Sequence, residues 1–154
     1  MEPSTRPARG GSCPPALRLP ADVSGWIGER AARGYPDETC GLLVGTVEGG
    51  RVRVVRAEAA GNLDRERARD RYALDPGDFV RIDAAARADG LDIVGIWHSH
   101  PDHPARPSDT DLERAWNGYG YLIASVGRDG VREIRSWWLV DGEFVEQAIV
   151  ENDT

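Results

Sequence analysis

IVGIWHSHPDHPARPSDTD, residues 93–111, holds the most informative run of side chains in the chain. Residues 93–100 are rich in β-formers and read as a strand. Pro101 ends it, because proline brings no N–H to a ladder. Residues 101–107 read as a proline-rich loop, and Ser108 to Trp116 as a short helix with Gly118 behind it. Side chains i and i+2 on a strand share a face, so His98 and His100 stand side by side with backbones about 7 Å apart. Ser99 points the other way. Two imidazoles at that spacing can converge on one Zn²⁺ at about 2.0–2.1 Å each. A third ligand must come from elsewhere, and Asp111, on the first turn of the next helix, is placed to reach back. Two histidines and one carboxylate leave a fourth position for water, which separates a catalytic zinc site from a structural one.

The same residues admit plainer readings. An HxH pair on a strand is often just two partly exposed histidines. Ser108-x-x-Asp111 resembles a capping box, with Asp where Glu or Gln is usual. His103, in the loop between Pro101 and Pro104, is a rival ligand.

Upstream, residues 1–15 carry four prolines and two glycines without periodicity and read as a flexible N-terminal tail. Residues 16–151 form the folded domain. Leu17 to Leu19 suggests a short strand. In residues 21–33, Val23, Trp26, Ile27 and Ala31 line one helical face, and Gly34 stands where the helix should stop. Thr39 to Thr46 is a nearly unbroken apolar run, as in a buried strand. Glu48-Gly49-Gly50 turns it into Arg51 to Ala57, where Val52 and Val54 alternate, so a hairpin follows. Residues 60–71 are polar and read as loop. Asp75-Pro76 starts a helix, with Asp as N-cap and proline at the first helical position. Phe79, Ile82 and Ala86 give its apolar stripe and Gly90 its end. Downstream, Tyr121 to Val126, Val131 to Val140 and Phe144 to Val150 are strands. Helices interspersed among strands imply an α/β (α+β) fold: one mixed sheet with helices packed on it.

Composition narrows the function. The 154 residues carry 19 basic and 26 acidic side chains, a net charge of -7. That excludes nucleic acid and anionic membranes as main partners, since clustered positive charge holds both. Arg65, Arg67, Arg69 and Arg71 are interrupted by acids and read as a solvated surface. Every basic residue is arginine. Two cysteines make no disulfide framework, and no apolar run reaches the roughly 18 residues of a membrane span. Without the apolar core of a signal peptide, the chain reads as cytoplasmic with reduced thiols. Cys40, among Gly41, Leu42 and Leu43, reads as a small buried hydrophobe rather than a nucleophile.

His98-Ser99-His100-Pro101, six residues, Ser108, two residues, Asp111 matches H-x-H-P-x6-S-x2-D, and the chain thereby resembles the JAMM metallopeptidases of MPN domains. Upstream, YPDETCGLLVG, residues 35–45, resembles the segment where that family places a glutamate before an apolar strand; here that is Glu38, with Asp37 as its neighbouring competitor. The resemblance covers about residues 16–150. It implies a single MPN-type domain with a curved sheet and a layered architecture similar to cytidine deaminases. It implies one Zn²⁺ per chain, held by His98, His100 and Asp111. Glu38 would carry the proton from water to the leaving amine, and Ser108 would stabilise the oxyanion.

The short chain is most similar to prokaryotic family members that act on ubiquitin-like sulfur-carrier proteins. This implies hydrolysis after a carrier's C-terminal Gly-Gly, for example releasing newly made cysteine. A side-chain-free tail suits a narrow cleft and could add beside a sheet edge. Residues 71–75 and the loop 101–107 are candidates for lining that cleft. Three alternatives stand beside this. One is a lysine isopeptidase of the deubiquitinase kind; another is a non-catalytic MPN scaffold. The third, a zinc nucleoside deaminase, is discounted because H-x-E and CxxC are missing. Oligomeric state is open, a homodimer being one option.

Overall fold

The computed structural model describes residues 14–152. Its elements run β1 (Ala16–Arg18), α1 (Ala21–Gly34), β2 (Cys40–Glu48), β3 (Arg51–Ala60), α2 (Pro76–Ala88), β4 (Asp92–Pro101), α3 (Asp109–Arg114), β5 (Gly120–Gly127), β6 (Gly130–Val140), β7 (Glu143–Gln147) and β8 (Ile149–Val150). The strands form one mixed sheet in the order β7-β6-β5-β4-β2-β3-β1-β8. β4–β5, β1–β3 and β1–β8 are parallel pairs, and the others are antiparallel. The expected mixed sheet with packed helices is therefore the architecture of the chain.

The last two strands curl this sheet almost into a barrel. β7 and β8 lie at opposite ends of the strand order, yet only Ala148 separates them in sequence. Leu17 and Leu19 donate their N–H groups to the carbonyls of Ala148 and Val150, both at 2.8 Å. The buried Gln147 side chain spans the seam, accepting from Ser136 Oγ at 2.8 Å and donating to Pro15 O at 2.6 Å. Curling in this way brings the end strand β7 beside the start of β1. It also explains why the expected continuous strand 144–150 is broken at Ala148. Apart from Pro14 and Pro15, the expected N-terminal tail lies outside the described residues.

β4 runs between β2 and β5, and its residues Ile93 to Pro101 are all buried. Alternation sorts the side chains of the central strands. Leu43, Trp97, Leu122, Ala124 and Val126 face Val23, Ile27 and Ala31 of α1. Leu42, Val44, Ile96 and Tyr121 pack with Ile82 and Ala86 of α2 on the other face. A strand covered on both faces needs apolar residues at every position, which accounts for the unbroken run in β2. Trp26 departs from the expected stripe: it is 39% exposed and meets Trp97 edge-on at 5.9 Å.

The helix ends follow their local signals with one correction. Asp75 Oδ1 accepts from Gly77 N at 2.8 Å, as the N-cap requires, and Gly90 takes a positive φ of 74° behind α2. Gly34 does not act as a left-handed stop. It is the last residue of α1, and its hydrogen faces Thr39, where a Cβ would come 2.1 Å from Cγ2. β3 extends to Ala60, three residues beyond expectation, while α3 ends earlier, at Arg114. No helix among the described residues is long and apolar enough to cross a membrane.

Candidate metal centre

The register of the central strands assembles the site. β2 and β4 are antiparallel, with Cys40 opposite His98. Ser99 N donates to Thr39 O at 2.9 Å, and Thr39 N to Ser99 Oγ at 2.8 Å, so the pairing continues past the end of β2. One step further, Glu38 comes opposite His100. His98 is fully buried, and His100 is 6% exposed. The reading of two partly exposed histidines is thereby overturned, because β4 is central and covered on both faces.

Asp111 closes the group from the first turn of α3. Its Oδ2 lies 3.2 Å from His98 Nε2 and 3.0 Å from His100 Nε2, and the two ring nitrogens are 3.1 Å apart. The capping box at Ser108 is also real. Ser108 N donates to the same Oδ2 at 2.9 Å, and Asp111 N donates to Ser108 Oγ at 3.1 Å. The cap and the convergence are one device, since the cap aims the carboxylate at the imidazoles.

The donor set fits a metal ion. His100 Nδ1 donates to Pro104 O at 2.9 Å, so the neutral ring carries its lone pair on Nε2. That lone pair faces an acceptor oxygen of Asp111 and a second imidazole nitrogen, and one cation satisfies all three. Four ligands held tetrahedrally at 2.0–2.1 Å stand about 3.3–3.4 Å from one another, close to the separations here. Glu38 competes for the third position, for its carboxylate comes within 4.8 Å of both ring nitrogens. It bonds neither ring, and its buried Oε1 has no partner. Asp111 is the carboxylate nearer the two ring nitrogens, and Glu38 stands one step further away.

Burial governs the charges. It raises the Glu38 carboxyl from 4.5 to about 8, against the opposing pull of His100, while Asp111 pushes the same way. Burial alone would also raise Asp111, but the two imidazoles and the Ser108 N–H hold it well below the usual carboxylate range. Burial lowers His98, despite the pull of Asp111. For His100 burial acts downward too, but hydrogen bonds to Asp111 and Pro104 outweigh it and leave the ring raised. Cys40 is driven up to about 12 by burial, and its Sγ faces the carbonyls of Ala60 and Gly61. A thiol so protonated is no nucleophile.

Glu38, His100 and Ser108 open on a cleft of about 430 Å³, walled by Arg67, Asp70 and Arg71 on one side and by His103, Pro104 and Arg106 on the other. Of the two segments singled out in the sequence, 71–75 contributes only Arg71 to the cleft, and 101–107 contributes His103, Pro104 and Arg106. Asp37 is exposed and lines a neighbouring depression instead. His103 is exposed, and its carbonyl is held by Ser125 Oγ at 2.6 Å. Sequence reasoning passed over the Pro104 carbonyl that fixes His100, since a backbone acceptor leaves no compositional trace. It also passed over Asn62 and the stacking of Tyr72 on His98, which lie in residues read as loop or merely as cleft lining.

A curved mixed sheet thus presents two buried histidines and two carboxylates in an arrangement compatible with a metal site. The family of prokaryotic homologs of the JAB domain matches residues 20–140, and the chain belongs to it. It is 42% identical over 122 residues to a desampylase of Haloferax volcanii, covering 79% of this chain and 83% of that one. It is 34% identical over 135 residues to a CysO-cysteine peptidase of Mycobacterium tuberculosis, covering 86% and 89%. Among solved structures, a Desulfitobacterium hafniense protein superimposes with a TM-score of 0.78 at 28% identity, covering 87% of this chain and 91% of that one.

Proposed function

We propose that the chain is a zinc-dependent peptidase cleaving the amide or isopeptide bond after the C-terminal Gly-Gly of a ubiquitin-like or sulfur-carrier protein. The observation that carries this reading is the convergence of His98 Nε2, His100 Nε2 and Asp111 Oδ2 within 3.0–3.2 Å beside the unpaired Glu38 Oε1. The relatives' names, a desampylase and a CysO-cysteine peptidase, support the substrate class. Bound by His98, His100 and Asp111, zinc supplies a Lewis acid that lowers the pKa of water towards about 7.

The chain's own groups do the rest. Glu38 accepts a proton from the attacking water, whose oxygen forms the new bond to the glycine carbonyl carbon. As the C–N bond breaks, Glu38 delivers that proton to the amine nitrogen. General acid–base work of this kind contributes about 10²–10⁴-fold. A cation beside Glu38 would favour the carboxylate form, which is the form that accepts the proton. Ser108 Oγ is fixed by the N–H of Asp111, which leaves its O–H to donate to the carbonyl oxygen as negative charge develops there. The low-charge Gly-Gly tail enters the cleft between residues 67–71 and 103–106.

Purified protein decides the reading. Glu38→Gln should keep stoichiometric zinc and lose turnover; retained turnover removes Glu38 from the mechanism. A carrier–cysteine adduct and a lysine isopeptide of the same carrier, assayed side by side, identify the bond. A wild type that takes up no zinc under zinc-replete conditions would leave a binding scaffold instead.

A further inference from the structure

The two histidines are held differently. His100 is oriented in the ordinary way, its Nδ1 donating to Pro104 O at 2.9 Å. His98 is fully buried, and its Nδ1 has no hydrogen-bond partner. A ring with one unpaired nitrogen is not held in plane by hydrogen bonding at that end. Instead the ring of Tyr72 lies against it, centroids 4.5 Å apart and planes 25° from parallel.

Tyr72 belongs to no helix or strand, yet its segment is tightly anchored. Asn62 forms an isolated bridge with Leu74. The Asn62 amide makes four hydrogen bonds. Nδ2 donates to Arg71 O and to Glu38 O, both at 3.1 Å; Oδ1 accepts from Ala73 N at 2.9 Å and from Asp64 N at 3.0 Å. The residues on either side of Tyr72 are therefore pinned by the same side chain that pins the Glu38 backbone. Arg114, on α3 with Asp111, adds a bond from its guanidinium to Tyr72 O at 2.6 Å.

We propose that Tyr72 is a positioning residue that orients His98 by stacking, in place of the hydrogen bond its Nδ1 lacks, and that Asn62 locks Tyr72 and Glu38 into one unit. The inference rests on the reading of His98 as a zinc ligand. Only a flat ring can do the work of Tyr72, and its hydroxyl is dispensable for it. Only a carboxamide offers the two donors and two acceptors that position 62 uses; aspartate keeps the shape and loses both donors.

Zinc affinity reads this directly, measured by competition with a chromophoric chelator on the full chain. The visible spectrum of the Co²⁺-substituted protein reports ligand geometry. Melting of the metal-free protein reports fold. Tyr72→Phe should bind zinc within about twofold of wild type with an unchanged Co²⁺ spectrum. Tyr72→Leu should bind about 10–100-fold more weakly, the usual effect of losing a ligand's support, with an altered spectrum. Asn62→Asp should weaken zinc binding in the same direction and lower kcat more than it raises KM. Wild-type affinity and spectrum in a folded Tyr72→Leu protein overturn the proposal. Should leucine at 72 unfold the metal-free chain, Asn62→Asp carries the test, and wild-type zinc affinity there overturns it equally. A wild type that binds no zinc removes the premise itself; zinc-loaded wild type matched by Tyr72→Leu removes only the stacking role.

Discussion

Glu38→Gln in the zinc-free protein should become more stabilising as pH rises. Glu38 is 5% exposed, its Oε1 has no partner, and burial lifts its pKa from 4.5 to about 8. The unfolded chain releases this proton near pH 4.5, while the folded chain keeps it to about 8. Between those values the folded state binds more protons, so wild-type stability falls as pH rises through the window. At 1.36 kcal/mol per pKa unit, the full cost above pH 8 is about 5 kcal/mol. At pH 7 it is about 3 kcal/mol, and at pH 5 under about 1 kcal/mol. Glutamine stays neutral and escapes it. Urea unfolding of both zinc-free proteins between pH 5 and 9 measures the gap. Zinc should narrow it, because a nearby cation favours the carboxylate. A gap that stays constant with pH would refute the argument that burial without a partner sets the protonation of Glu38.

Three further outcomes follow from the geometry. His100→Ala should abolish both stoichiometric zinc and turnover, checked by metal analysis and a carrier-cleavage assay, whereas His103→Ala should retain the zinc. Gly34→Ala should destabilise by about 1–3 kcal/mol in spite of alanine's better helix propensity, because its Cβ would meet the buried Thr39 methyl at 2.1 Å; Thr39→Ser in the same chain should restore part of the melting temperature. Trp137→Phe removes the donor to Ala105 O at 2.9 Å, and so should loosen the loop between His100 and Asp111; hydrogen exchange across residues 102–107 should rise, with zinc affinity falling several-fold.

The elements were legible in the sequence where their signals are short. The i, i+2 spacing of His98 and His100, the Asp75-Pro76 helix start and the Ser108-x-x-Asp111 cap each reach over a few residues, and each appears as written. Other features were not readable in that way. Gly34 does end α1, but as a point of close approach rather than a left-handed stop, because the Thr39 methyl it admits belongs to another segment. Residues 144–150 looked like one strand and proved to be two, because Ala148 is where the chain passes from one end of the sheet to the other.

Read alone, the chain determined which side chains could meet on one strand and one helix turn, since backbone periodicity brings His98 beside His100 and Ser108 beside Asp111 whatever the rest does. The family resemblance singled out Glu38, but only tertiary structure decided how it joins them. It lies 60 residues before His98 and arrives through the antiparallel register of β2 with β4, which is set by burying Leu42, Leu43 and Val44 on the two faces of the sheet. It also decided the state of each group. Pro104 O chooses the tautomer of His100, Tyr72 covers the face of His98, and burial without a partner raises Glu38. Those properties depend on what surrounds an atom in space, and no spacing along the chain encodes that.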